Sequence, residues 1–419
     1  MAVADDGFCL PDDVLVQILL LLAPASSRRP LRLVCKGWRD LIDERAPPPP
    51  PQEKLPTKIL VFINRGRSAT ALVFDSKRSH HKHKWTYTSS SEDEGSCIHM
   101  VGTCNGLLCL HEHSSYGGIS FSAVRVTNPI TGETAALPPV PTRWAWSQFV
   151  KAPGKYSFGF HPETKRHKVM YIPRGQYRSA DNALQVFTLG GGTAAAWRAV
   201  PVRTPGACYD LLCDPVTAGG STYWVAASFG EVMALDLKDE RVASFAVPPA
   251  MGPVPAMSAP RYWREVKWRL TKVADARIGV VVSAAAAGDT YDTRVEVWVL
   301  LDGGGGEEET KPRWSRRYSV VEGLSWTSSW VMAPQLTHGD CILRASEDGR
   351  WDGDYPYWCR LRKRLYRHEV GDLMDGEIER RRPPKEAELI ISEEERRLEC
   401  KQLTTFAYVE TLNPVPRSK

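Results

Sequence analysis

What most constrains the fold of this chain is a recurrence: a short apolar run, a turn built on x-Pro-x-Thr, and a second short run. Asn128-Pro129-Ile130-Thr131-Gly132 stands between residues 122–126 and a segment ending Leu137-Pro138. His161-Pro162-Glu163-Thr164-Lys165 stands between 156–160 and 168–172, and Asp214-Pro215-Val216-Thr217 between 210–213 and 221–226. Proline presets the backbone of such a turn, and a preceding Asn or Asp can bond its own backbone. Further short runs occur at 58–64, 69–74, 85–88, 184–189, 197–200, 231–237, 241–247, 268–273, 277–283, 294–301 and 314–320. About a dozen to twenty strands with turn signals every 8–12 residues predict an all-β architecture. Their irregular spacing excludes a tidy repeat. Trp197, Trp314, Leu137-Pro138 and Val247-Pro248 close second strands, where large side chains fill gaps between sheets.

The first 45 residues follow different rules. Pro11 suits a first helical position, and Asp12 and Asp13 favour the positive start of a helix. Val14, Leu15, Ile18, Leu19 and Leu22 then recur at helical spacing, and after Ala23-Pro24 so do Leu31, Val34, Cys35, Trp38, Leu41 and Ile42. These short helices can face each other but cannot cover both their sides. With each buried Leu, Ile or Val worth roughly 1.5–3 kcal/mol, a second surface must close over them. Between them and the strands, residues 46–56 (APPPPPQEKLP) form a proline-rich, semi-rigid linker; a polyproline ligand is the sharper alternative.

Leu10-Pro11-Asp12-Asp13-Val14, Ile18-Leu19 and Val34-Cys35-Lys36-x-Trp38-Arg39-x-Leu41-Ile42 resemble the F-box, the motif that docks on the Skp-type adaptor of cullin ubiquitin ligases. The resemblance implies that Leu10, Pro11, Val14, Leu15, Ile18, Leu19, Leu33, Val34, Cys35, Trp38, Leu41 and Ile42 meet that adaptor. It departs at Ser26-Ser27-Arg28-Arg29-Pro30, where the family carries apolar contacts. Downstream, Cys104-Asn105-Gly106-Leu107-Leu108-Cys109, Asn128-Pro129-x-Thr131-Gly132-Glu133, Tyr156-x-Phe158-Gly159-Phe160, Tyr223-Trp224 and an isolated Tyr408-Val409-Glu410-Thr411-Leu412 resemble the F-box-associated interaction domain of plant proteins. That family implies a kelch-like β-propeller of about six irregular blades. Radial packing would also protect the edges of so many hairpins.

The expected organisation is therefore mainly β with a small N-terminal α-helical motif: a three-helix F-box at 1–45, the linker at 46–56, and a β-propeller-like substrate-recognition domain at 57–419. A charged insertion is expected at about 359–402, with a nuclear import signal or nucleic-acid patch as the alternative reading of its basic clusters. The resemblance implies a substrate-recognition adaptor of an SCF-type cullin-RING E3 ligase, partnered by a Skp-type adaptor, cullin, RING protein and a target protein. The alternative is a propeller binding module acting outside a ligase, its F-box degenerate.

Composition narrows the remaining classes. A net charge of +5 over 419 residues, with both signs interspersed, does not suggest nucleic-acid binding. The start MAVADDGF lacks the basic stretch of a signal peptide, and no apolar run is long enough to span a bilayer, so a soluble protein of the cytoplasm, nucleus or both is expected. Ten cysteines are scattered without a Cys-x-x-Cys pair, which favours reduced thiols on strands over zinc ligands. His80, His81 and His83 lack ligand-spaced cysteine or carboxylate neighbours, and residues 75–96 read as a surface loop around a short strand. No Gly-x-Ser-x-Gly elbow, phosphate loop or His-Glu-x-x-His occurs, so no catalytic, cofactor-binding or metal residue is assigned and the chain is read as a non-catalytic subunit.

Overall fold

The computed structural model of the chain describes Val14 and residues 58–75, 80–93, 95–114, 121–141, 154–173, 183–191, 196–202, 214–226, 231–249, 266–272, 277–285, 292–301, 313–323, 336–338, 341–348, 362–369, 386–389 and 402–416. Strands β1 (Lys58–Asn64), β2 (Ser68–Phe74) and β3 (His81–Thr88) begin the first sheet. The second comprises β4 (Cys97–Cys104), β5 (Leu107–Ser114), β6 (Phe121–Thr127) and β7 (Thr134–Ala136). The third comprises β8 (Lys155–His161), β9 (Arg166–Ile172), β10 (Leu184–Thr188) and β11 (Arg198–Val200). In the fourth are β12 (Val216–Ala218), β13 (Ser221–Ala226), β14 (Glu231–Asp236) and β15 (Val242–Ala246). The fifth holds β16 (Val266–Lys272), β17 (Ile278–Ala285), β18 (Asp292–Leu301) and β19 (Arg313–Gly323). The sixth holds β20 (Leu336–His338), β21 (Cys341–Asp348), β22 (Arg362–Glu369) and β23 (Glu386–Leu389). The last strand, β24 (Gln402–Tyr408), then returns to the first sheet as the antiparallel partner of β1, from Lys58 opposite Tyr408 to Asn64 opposite Gln402.

Among the described residues, six four-stranded sheets close into a ring. Strand β4 lies against β24 and β8, β12 against β8 and β16, and β20 against β16 and β24. Each of these is the end strand of its sheet, so the six form the inner wall of a β-propeller. Burial follows this radial position. Strand β1 is apolar on both faces and buried along nearly its whole length, whereas β3 alternates half-buried and exposed residues as an outer strand with one face in water.

The apolar cores lie between consecutive sheets. Leu60, Phe62, Ala71 and Val73 of the first sheet meet Ile98, Leu108 and Leu110 of the second. Leu107, Cys109, Val124 and Val126 meet Tyr156, Phe158 and Val169 of the third, and Met170, Ile172 and Val186 meet Trp224, Met233 and Leu235 of the fourth. Two tryptophans latch the outer edges: Trp197 Nε1 donates to the Pro138 carbonyl at 2.8 Å, and Trp314 Nε1 donates to the Ala246 carbonyl at 2.8 Å. The Trp and Pro closures expected from sequence thus face one another across adjoining sheets.

Several expectations are corrected in detail. The His81–Thr88 strand is longer than the 85–88 segment expected within a surface loop, because it pairs along β2 from Ser68 to Phe74. Asp214-Pro215-Val216-Thr217 is not a turn: Val216–Ala218 is already β12, and proline is tolerated at the entrance to a strand. The turn lies beyond, at Gly219 and Gly220, both with positive φ (58° and 85°). The charged segment 359–402 supplies β22 and β23 to the sixth sheet instead of forming an insertion throughout. The isolated Tyr408 motif is isolated only in sequence, since the strand ending there completes the first sheet.

Candidate functional site

The C-terminal tail is the clasp of the ring, and three motifs that are distant in sequence build it. Cys104 pairs with Leu107 across a two-residue turn, Asn105 (φ 49°) and Gly106 (φ 79°), in which both central residues have positive φ. A side chain at Gly106 would place its Cβ 2.3 Å from Thr411 Cγ2 and 2.6 Å from the Val409 carbonyl oxygen. The fully buried Asn128 side chain accepts from the Ile130 and Thr131 amides, folding its own turn. Its Nδ2 donates to the carbonyls of Thr411 and Asn413 at 3.2 and 2.8 Å. Glu133 accepts from the Val415 amide at 3.0 Å. At the start of β1, where β24 ends, Lys58 Nζ donates to Glu410 at 2.5 Å, and His83 approaches the same carboxylate at 2.9 Å while stacking on Trp85. Burial pushes the Glu410 carboxyl up, but Lys58, Lys82 and His83 outweigh it and hold the group below the ordinary range.

With the ring closed, Lys155 and Asp214 meet where β8 and β12 begin, and Arg269, from the middle of β16, and His99, near the start of β4, act on the same carboxylate. Lys155 Nζ, at the start of β8, donates to Asp214 Oδ1, just before β12, at 2.6 Å. Asp214 is 53% exposed, yet the surrounding protein desolvates it and pushes its pKa up; Lys155, Arg269 and His99 more than offset this and leave it below the ordinary carboxylate range. At the opposite end, the Cys104 thiol is pushed up to about 11 by burial, moderated by Lys272 and by a hydrogen bond from the Phe160 backbone. The starts of β4, β8 and β12 gather at one end and the ends of β4, β8 and β16 at the other, so these inner strands run in one direction.

From the charged end, a file of rings runs from β4 along β5 of the second sheet and crosses to β8 of the third. His99 stacks on His113 (5.0 Å), His113 on His111 (5.5 Å), and His111 packs on Tyr156 (4.5 Å). His111 Nε2 and Ser122 Oγ are 3.0 Å apart, and Ser122 Oγ lies 3.3 Å from the Tyr156 hydroxyl. Burial, with His113, His99 and Lys155 nearby, lowers the pKa of His111 to about 3, so the ring is neutral near pH 7. Among the described residues no group of three His, Cys, Asp or Glu side chains is placed to hold a metal ion. His81 lies edge-on to Phe74, and among the described residues Cys97, Cys104 and Cys109 are not joined in disulfides.

A mouth carrying two cations around one carboxylate can receive an anionic group from a partner. Sequence reasoning missed it: Lys155, Asp214 and Arg269 belong to three sheets, and no local pattern joins them. Of the residues expected to meet an adaptor, Val14 is helical and 40% exposed. Leu10, Pro11, Leu15, Ile18, Leu19, Leu33, Val34, Cys35, Trp38, Leu41 and Ile42 lie outside the described residues, as does the 210–213 segment.

Comparison with known proteins gives the ring its family. Residues 58–343 match the F-box associated beta propeller domain, and residues 8–46 match the F-box-like family. The chain belongs to the F-box proteins with an F-box associated propeller. Two Arabidopsis thaliana relatives agree. At1g33530, named as an F-box protein, is 27% identical over 354 residues, covering 79% of this chain and 69% of that one. F-box protein At3g07870 is 27% identical over 215 residues, covering 46% of this chain and 48% of that one. A chain from a nidogen/laminin complex aligns over 84% of this chain and 99% of its own length, but at a TM-score of 0.41 and 9% identity neither fold nor function transfers from it. In the F-box associated propeller, the Cys104–Cys109, Asn128–Glu133 and Tyr408–Leu412 motifs are parts of one closure.

Proposed function

We propose that this chain is the substrate-recognition adaptor of an SCF-type cullin-RING ubiquitin ligase. The observation that carries the reading is the presence in one chain of an F-box-like segment at 8–46 and a closed propeller ring. The F-box helices bury their apolar stripe on a Skp-type adaptor, which brings cullin and RING protein. The propeller holds a target protein, and its charged mouth takes an acidic group of that target between Lys155 and Arg269. This chain performs no bond-making step; it contributes proximity and orientation to the ubiquitin-conjugating enzyme alongside. Its place of action is the cytoplasm, the nucleus or both.

The test is affinity purification of the full chain. The wild type should bring down a Skp-type adaptor and cullin, and Ile18→Ala with Trp38→Ala should lose both while retaining the target. Arg269→Glu should lose the target while retaining the adaptor. Adaptor binding by a chain lacking residues 1–45 would sink the proposal. A second reading rests on Arg28, Arg29 and Pro30, two charges and a helix-restricting residue in the F-box segment. On that reading the propeller binds its target outside any ligase, and the full chain captures the target with neither adaptor nor cullin.

A further inference from the structure

The loop between β3 and β4 begins Ser89-Ser90-Ser91-Glu92-Asp93-Glu94. A carboxylate of the second sheet accepts four of its hydrogen bonds, and Ser114 Oγ of β5 also donates to Asp93 at 3.1 Å. Glu112, on β5 and 3% exposed, accepts through Oε1 from Ser89 Oγ (2.5 Å), the Ser90 amide (2.9 Å), Ser90 Oγ (3.1 Å) and the Ser91 amide (3.2 Å). Arg125 Nη1 lies 3.6 Å from its other oxygen. Burial pushes the Glu112 pKa up, but the serine donors and Arg125 hold it below the ordinary range, so the anion is what the loop grips. Ser90, Glu92 and Asp93 are exposed, and the segment from Ser89 to Asp93 belongs to no strand.

We infer that Ser90 is a phosphorylation site for an acid-directed serine/threonine kinase, and that its modification unlatches this loop from Glu112. Three observations carry this. Ser90 is an exposed residue on a strand-free segment, so a kinase cleft can reach it once its hydroxyl leaves Glu112. It is followed at the second, third and fourth positions by Glu92, Asp93 and Glu94, which suit a basic substrate groove. Its hydroxyl hydrogen is also one of those that hold Glu112. In the transfer, Ser90 Oγ attacks the γ-phosphorus of ATP. The O–P bond to serine forms, the bond to the oxygen bridging to the β-phosphate breaks, ADP leaves, and the hydroxyl proton passes to the kinase's base. The product replaces a hydrogen-bond donor with a near-dianion beside a buried carboxylate, so the contact becomes repulsive. Two guanidinium groups flank the loop and can receive the phosphate once it swings out: Arg67, whose Nη2 donates to the Ser91 carbonyl at 3.3 Å, and Arg125, whose Nη2 donates to the Thr88 carbonyl at 3.5 Å. The loop leads into β4, the strand that carries His99 to the charged mouth, but the inference does not depend on the adaptor reading.

The full chain is incubated with ATP and a kinase selective for acidic residues three positions beyond the acceptor, and its phosphate is mapped by fragment mass spectrometry. One phosphate at Ser90 is expected, absent in Ser90→Ala and reduced about tenfold or more in Asp93→Asn. No incorporation, or incorporation unchanged in Ser90→Ala, overturns the site. Amide hydrogen exchange then reads the latch. Exchange at Ser90 and Ser91 should quicken about tenfold or more on phosphorylation, and similarly in unphosphorylated Glu112→Gln, because each weakens the charge-assisted bonds that protect those amides. Exchange unchanged in the phosphorylated chain overturns the unlatching.

Discussion

Replacing Gly106 by Ala tests the ring closure at its tightest point. The substitution adds one methyl group where φ is +79° and where Thr411 Cγ2, the Val409 carbonyl oxygen and Thr411 Cβ would lie 2.3, 2.6 and 2.7 Å away. The left-handed conformation costs an L-residue about 1–2 kcal/mol. Forcing added atoms into a packed site costs about 1–3 kcal/mol more, and a backbone oxygen yields less readily than a side-chain tip. The sum is roughly 2–5 kcal/mol. With an unfolding entropy near 2.1 cal/mol/K per residue over roughly 360 residues, a ring unfolding as one unit should lose about 3–7 °C in Tm. Thermal and urea unfolding of the full chain measure this. Two companions separate the causes. Asn105→Gly, at a φ of 49°, should change stability by less than about 1 kcal/mol, since it relaxes the turn without touching the tail. In a Thr411→Gly background, Gly106→Ala should cost less, because two of the three conflicts are gone. An unchanged Tm for Gly106→Ala, or an identical cost with and without the Thr411 side chain, would refute the claim that the tail packs on this turn.

Other outcomes follow from the same geometry. Asn128→Ala removes the donor to two tail carbonyls and the acceptor of two turn amides, and should destabilise by about 2–4 kcal/mol in urea unfolding. Trp197→Phe and Trp314→Phe keep most of the packing but remove the latches to Pro138 and Ala246, so each should cost about 0.5–1.5 kcal/mol, and the pair should add because the latches join different sheets. His111 and His167 have folded pKa values of about 3 and about 4, below the ordinary 6.5. The unfolded chain therefore binds more protons than the folded one between about pH 6.5 and 3, and stability should fall as pH falls through that window. Denaturation at pH 7 and pH 5 should show the loss, and His111→Gln should reduce it; an equal loss in the variant would place the pH dependence elsewhere. The carboxylates Glu112, Glu240 and Glu410, all held below their ordinary range, add a further loss only as the pH drops through the lower carboxylate range.

The sequence made most of the strands legible because each is a local object. The run 58–64 and the run 221–226 coincide with the strands found. It also made both family resemblances visible, through Trp38 and its neighbours and through the Asn128 turn. Less legible were elements whose state depends on a distant partner. His81–Thr88 looks like polar loop until β2 offers its edge, and 362–369 looks like a solvated basic run until β21 pairs with it. Sequence took Asp214-Pro215 for a turn because proline serves turns and strand entrances alike, and only the Gly219-Gly220 pair decides which.

The chain by itself therefore determined an all-β domain of short hairpins, behind an N-terminal apolar stripe that needs a partner, because hydrophobic period and turn chemistry are written in neighbouring residues. Tertiary structure alone decided how the hairpins close. It joined Lys58 to Glu410 and Asn128 to Thr411 and Asn413, and brought Lys155, Asp214, Arg269 and His99 to one mouth. Those contacts span up to 352 residues of chain, and no local periodicity encodes them; they exist only once each inner strand has its two neighbours in the ring.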